Sequence, residues 1–371
     1  MASADGEVKR LCRRILEQLA VPKKLRGVLP PITRVTIDAK DRSVKEVLEE
    51  FQRQTRIPMK LRRAGESSIT VRIQDAGPLE ALNAICRAAK LGWDYPSEGF
   101  IRPMEPVART EPRVPLLEGP EIQFTPGHYA ERPRLFIRHY EVEFHEIVLS
   151  RTNDFRNERS RGELSIGLFW PHGVKPYSVI VEVTSAIDNR GNQLLEGHDD
   201  PRQPKGPREE FAWWGNPLRL YDRYRLRYPD KGVRALASVR GSARIFYLLR
   251  EKMVIFESPE KSVGVRKEIE GVTVELVELK TVELKPGETY LKARVQIKGR
   301  EWMFPPRARA RLENGKMSGP LRAVPIGNPA ASLYDFNLYD PSSKPVAFEV
   351  VAESICGEDA FDFEFKDVVL P

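Results

Sequence analysis

Val8, Leu11, Cys12, Ile15, Leu16 and Leu19 recur at the spacing of one helical face, and Pro22 closes the segment. This predicts an amphipathic helix and connector over residues 1–30, with Cys12 as a small buried hydrophobe inside the stripe. After Pro30-Pro31, the run Arg34 to Ala39 alternates with period two and reads as a strand. Ser43 followed by Glu46 forms a capping box ahead of a helix that buries Val44, Val47, Leu48 and Phe51. Short strands are expected at 57–61 and 69–73. A second helix opens on Gly77-Pro78 and buries Leu79, Leu82, Ile85, Cys86 and Ala89. A hairpin of 92–95 with 99–101 completes the order β-α-β-β-α-β, a small α+β domain over residues 31–103.

Seven prolines between residues 103 and 133 predict a semi-rigid extended linker over 104–134. Beyond it the helical period disappears, and alternating runs recur between Gly, Pro, Asn and Asp turns. Val142 to Leu149 parallels Val272 to Leu279, Glu163 to Trp170 parallels Tyr290 to Ile297, and Leu220-Tyr221-Asp222 recurs as Leu333-Tyr334-Asp335. Lys252 to Phe256 likewise parallels Lys366 to Leu370. The expectation is a multidomain α+β and all-β chain with two tandem antiparallel β-sandwiches, at 135–258 and 262–371. Asp188-Asn189-Arg190-Gly191 reads as a hairpin turn rather than a calcium loop, because the alternating acidic ligands are missing.

Several runs in the α+β segment carry a resemblance: Val35 to Asp41, Val47 to Phe51, Ile69 to Ile73, Pro78 to Leu82 and Leu91 to Tyr95. Together they resemble the secretin and TonB short N-terminal domain. The resemblance implies a module on the periplasmic side of a bacterial envelope that contacts other proteins and carries no catalytic residues. It further implies a periplasmic or cell-surface location with a leader removed; apart from the resemblance, the chain reads as either cytosolic or a mature form whose leader was cut away. Nothing after residue 103 resembles a secretin pore or a receptor barrel, so transport through an outer membrane is not implied.

Composition narrows the class. Of 371 residues, 41% are hydrophobic and 30% charged, which leaves apolar side chains for several cores and excludes wholesale disorder. No run approaches the roughly 18 apolar residues of a membrane helix. The net charge of +7 is concentrated N-terminally: residues 1–100 hold 19 basic and 13 acidic side chains, the remainder 41 and 40. Three scattered cysteines, Cys12, Cys86 and Cys356, specify neither a disulfide framework nor a zinc site.

The candidate chemistry is sparse. No phosphate-binding glycine loop, nucleophile elbow or metalloprotease motif occurs, so the sequence predicts no catalytic residues, cofactor or metal. His139, Glu141, Glu143 and His145 would share one strand face; these are metal-ligand types, but His139 and His145 stand roughly 20 Å apart on an extended strand. A solvated strand face is the expected outcome.

Candidate partner contacts fall in three places. The N-terminal helix offers Leu11 and Ile15 flanked by Arg13 and Arg14, for a protein partner, self-association or packing within the chain. A polar, proline-broken stretch near 197–215 ends in Trp213 and Trp214, which either bind or plug a gap. Arg219, Arg223, Arg225 and Arg227 line one strand face with Tyr221, and Arg307, Arg309 and Arg311 repeat the pattern. Such faces could grip an anionic polymer, nucleic acid or acidic polysaccharide, or form salt bridges within the chain. The expected function is a non-enzymatic envelope or surface-associated interaction protein, with an anionic-polymer binder as the alternative.

Overall fold

The computed structural model describes residues 25, 28–29, 33–61, 67–94, 121–127, 129–154, 157–174, 176–196, 219–269, 271–285, 288–298, 307–313, 321–322, 324–326, 331–338 and 345–370. Their structure is mostly β, with two α-helices and several sheets among the described residues. No helix among them is long and apolar enough to cross a membrane.

Strand β1 (Val35–Ser43) pairs antiparallel with β3 (Ser68–Ala76). Helix α1 (Val44–Thr55) starts at the capping box: Ser43 Oγ accepts the Glu46 N–H at 3.2 Å, and Glu46 Oε2 accepts the Ser43 N–H at 3.1 Å. Its apolar stripe Val44, Val47, Leu48 and Phe51 is fully buried. Helix α2 (Pro78–Ala89) has proline in its first turn, as the sequence predicts, and buries Leu79, Leu82, Ile85 and Cys86.

One strand of this region lies within the expected linker. Strand β4 (Leu91–Asp94) pairs with β5 (Ile122–Pro126), and β5 runs parallel to the short β2 (Met59–Lys60). Thus β5 falls inside the expected linker. Its alternate residues Ile122 and Phe124 are buried, which gives an apolar return to the burial of a short strand that proline content alone does not predict. Residues 99–101, expected as the hairpin partner, lie outside the described residues.

The chain divides into two compact units, residues 1–247 with 358–371, and residues 248–357, so the α+β part belongs to the first. In the first unit, β6 (Arg134–Ile137), β7 (Tyr140–Asp154), β8 (Asn157–Phe169) and β10 (Arg219–Leu226) make an antiparallel sheet in the order β10-β8-β7-β6. One face supplies Val142, Phe144, Leu164, Ile166, Leu168, Leu220 and Leu226 to the core. The same core takes Val179, Val181 and Val183 from β9 (Ser178–Asp188) and Val239, Ala243 and Ile245 from the first part of β11 (Ala235–Glu257). Asp188 closes the expected turn by accepting the N–H groups of Arg190 and Asn192 at 2.8 and 2.9 Å, with Gly191 at φ 87°.

In the second unit, β12 (Arg266–Ile269), β13 (Val272–Lys285), β14 (Glu288–Lys298), β17 (Val324–Ile326) and β18 (Ala331–Leu338) form a sheet in the order β12-β13-β14-β18-β17. Strand β15 (Arg307–Leu312) pairs with β16 (Leu321–Arg322) and with the first part of β19 (Pro345–Val369). Val272, Val274, Leu276, Val295, Ile297, Phe348 and Val350 fill this unit's core. The expected internal repeat is visible as topology. Strands β6-β7-β8-β10 and β12-β13-β14-β18 occupy corresponding positions in their sheets, and the two Leu-Tyr-Asp motifs lie on β10 and β18.

The two units do not follow the expected spans: the described part of 31–103 falls in the first unit together with β6 to β10, and two strand ends change units. Residues 248–257 of β11 belong to the second unit, whereas residues 358–369 of β19 belong to the first. These are the segments that match each other in the repeat. Strands of 23 and 25 residues would reach roughly 75–85 Å at ~3.3 Å per residue, long enough for one strand to supply residues to both units, and β19 and β11 are neighbours in the sheet ordered β16-β15-β19-β11-β9.

Candidate functional site

Two polar groupings stand out on the face of the β10-β8-β7-β6 sheet that points away from the hydrophobic core. The first is built on β7. Glu141 and Glu143 point the same way by strand period, but they are 0% and 3% exposed rather than solvated. They are covered because α2 and β4 lie over this part of the sheet.

Asn83 of α2 is itself buried. Its Nδ2 donates to Glu141 Oε2 at 2.7 Å and to the Leu79 carbonyl at 3.0 Å, while its Oδ1 accepts from Trp93 Nε1 at 3.1 Å. From β6, Arg134 directs Nε and Nη2 to Glu143 Oε2 at 3.0 and 2.8 Å. Arg132 Nη1 donates to Glu143 Oε1 at 2.9 Å, and His145 Nδ1 lies 2.9 Å from that same oxygen.

The two carboxyls are therefore unequal. Arg134 Nε is also 2.9 Å from Glu141 Oε1, but its N–H is aimed at Glu143, so that oxygen receives no hydrogen bond. Burial pushes Glu141 up to about 8, against the opposing pull of Arg134 and with the neighbouring Glu143 adding to the rise. For Glu143, burial also pushes upward but loses to the His145 contact and the Arg134 and Arg132 guanidiniums, which hold it below the usual carboxylate range. The site therefore favours the protonated form of Glu141 and the ionised form of Glu143. Cys86, on the same helix, is pushed up by burial and remains an inert thiol.

His139, grouped with these residues in the sequence, is separated from them because it lies in the turn before β7. Burial, with Arg138 and Arg34 nearby, lowers it to about 4. Its neighbour Tyr140 shares a buried hydrogen-bonded chain, with Tyr247 Oη at 2.7 Å and Asp359 Oδ2 at 2.9 Å; Arg138 closes it onto Asp359. No group of three or more His, Cys, Asp or Glu side chains among the described residues is placed to hold a metal ion.

The second grouping is the arginine face. Arg219, Tyr221, Arg223 and Arg225 alternate along β10, opposite Phe169, Gly167, Ser165 and Glu163 of β8. Gly167 makes room for Tyr221: a Cβ there would sit 2.6 Å from the tyrosine ring. The ring packs 4.2 Å from His145 and 5.9 Å from Phe169 between centroids, with the Arg219 guanidinium 5.1 Å away. Glu163 lies between two guanidiniums, Arg223 at 3.2 Å and Arg161 at 3.4 Å, whose side chains stay 65% and 59% exposed. Arg225 and Arg227 are also exposed. In the second unit, Arg311 of the repeated pattern pairs with Glu257 at 3.0 Å.

Thus Arg223, Arg225 and Arg227 fall together on or beside β10. Leu11, Arg13, Arg14, Ile15, Trp213 and Trp214 lie outside the described residues. Sequence reasoning missed Asn83, Trp93, Arg132 and Arg134 as partners of the glutamates. A signal for Asn83 existed, since it is a polar residue at i+4 from Leu79 on a predicted buried helix face. No family model, curated protein or solved structure matches the chain.

Proposed function

We propose that the chain is a non-enzymatic protein-interaction scaffold of the bacterial envelope. In this reading the module over 31–103, similar to the secretin and TonB short N-terminal domain, docks a protein partner. Two tandem antiparallel β-sandwiches act as spacer or adhesive modules, and the protein works in the periplasm or at the cell surface. The observation that carries it is the Asn83–Glu141–Arg134–Glu143 grouping, which fastens α2 to the outer face of a sheet with side chains closed to solvent. Ionisable groups this deeply buried and mutually engaged support a role in module assembly, because a proton-transfer group must reach its substrate. The pairing of Arg223 and Arg161 with Glu163, and of Arg311 with Glu257, supports this reading over an anionic-polymer binder.

The test is light scattering and chemical cross-linking of the full chain at low and high salt, alongside oligonucleotide binding. Docking through apolar surface persists as salt rises, while binding of a polyanion falls steeply through counterion release. The expected result is association that survives high salt. Tight, steeply salt-dependent oligonucleotide binding with no protein association would overturn the reading.

A further inference from the structure

We propose that the arginine face of β10 recognises an extended acidic segment of a protein partner. This rests on the protein-interaction reading above and adds a second contact surface, with the class of partner it takes.

The spacing comes first. Arg219, Tyr221, Arg223 and Arg225 occupy alternate positions of one strand, so their side chains leave the sheet at intervals of roughly 6.6–7 Å. An extended polypeptide presents its own alternate side chains at the same interval, so acidic residues at i, i+2 and i+4 keep register with the ladder. Head-group chemistry points the same way. Every cation on this part of the face is an arginine, including Arg161 of β8, and a planar guanidinium matches a carboxylate through two parallel N–H donors.

The chain already pairs carboxylates with this face. Glu163 sits between Arg161 and Arg223. Where residues 194–196 run antiparallel to the end of β10, Leu195 stands opposite Leu226, and the Glu196 N–H donates to the Arg225 carbonyl at 3.1 Å. That register places one acidic residue, Glu196, opposite one arginine of the ladder, Arg225. Tyr221, laid over Gly167 among the guanidiniums, offers an apolar surface between the charges. The built-in carboxylate of Glu163 also decides against a continuous polyanion. It repels a strand charged at every step, whereas an acidic peptide adjusts its register to avoid it.

The test uses the full chain and a labelled peptide in which Glu and Ser alternate. Controls are a peptide of the same composition with its Glu residues in one block, a Lys/Ser peptide, and oligothymidine. Anisotropy titration is expected to show the alternating acidic peptide binding at least about threefold tighter than the block peptide, with no binding by Lys/Ser. Arg223→Gln with Arg225→Gln should weaken it by about tenfold or more, and thermal unfolding reports whether that variant remains folded. Glu163→Gln, which releases Arg161 and Arg223 from their internal carboxylate, should tighten binding by about threefold. This gain cannot arise from misfolding.

Equal binding of the two acidic peptides, no binding at all, or weaker binding by Glu163→Gln would overturn the proposal. So would oligothymidine displacing the peptide, which would assign the face to nucleic acid. If association reduced by Arg223→Gln proves to be between copies of this chain, the occupant is a second copy and the proposal also fails. Failure of the peptide while salt-resistant association persists sinks this inference alone; loss of both sinks the reading beneath it.

Discussion

Glu141 and Glu143 are chemically identical and two residues apart, yet the fold gives them opposite protonation preferences. Linkage makes this measurable. Glu141 ordinarily titrates at 4.5 and is raised to about 8 by burial, so between those values the folded chain binds a proton that the unfolded chain releases. Its contribution to stability therefore falls as pH rises through that window and is fully lost above it. Glu143 acts in the opposite direction: its depressed value contributes stability above the ordinary carboxylate range, lost as pH falls through the folded value. Glu141→Gln keeps an acceptor for Asn83 and removes the titration. Denaturant unfolding across pH should show a decline from pH about 5 to 8 in the parent and a flatter profile in the variant. Parallel profiles would refute the assignment. Asn83→Ala removes the hydrogen bonds that Asn83 makes with Glu141 and Trp93 and should cost about 2–4 kcal/mol by the same measurement. The strand period foretold that 141 and 143 share a face. It carried no information that a helix some 58 residues earlier in the chain would cover them.

At the scale of elements, the helices were legible because their signals are local. A capping box, a proline in the first turn and an apolar stripe act within a few residues, and both helices start where these signals stand. Strand β5 was hidden because its partners β2 and β4 are remote in sequence and prolines surround it. Glycines in strands mark close approaches that sequence alone does not interpret. Gly241 of β11 is the tightest: an added Cβ would meet the Glu182 carbonyl oxygen and the Phe363 ring, each at 2.4 Å. Gly241→Ala should cost about 1–3 kcal/mol, more than Gly167→Ala, whose nearest obstacle is the Tyr221 side chain. Denaturation midpoints of the two variants check the order.

For the whole molecule, the decisive feature is the return of residues 358–369 to the first unit. Phe361, Phe363 and Phe365 are 8%, 4% and 3% exposed there, and Phe365 packs edge-on against Phe144 at 5.8 Å. Asp359 and Tyr140 add their buried hydrogen bond. Truncation after Gly357 strips three core phenylalanines, each worth about 3–5 kcal/mol when cut back to alanine. Hydrogen exchange on the truncated chain should show protection lost in β7, β8 and the first part of β11, but kept in β13 and β14. Retained protection throughout would mean that the C-terminal segment is dispensable to the first core.

Period-two alternation, turn residues and helix caps operate through neighbours, and so the sequence by itself determined a mostly β chain, its two described helices, the Asp188 turn and the repeated strand pattern. Which strand closes which core depends on surfaces brought together from more than a hundred residues apart. The tertiary structure alone therefore decided the exchange of strand ends between units, the burial of Glu141 and Glu143, and the position of Glu163 among arginines. The hydrophobic effect that drives these choices scales with area removed from water and is indifferent to sequence separation.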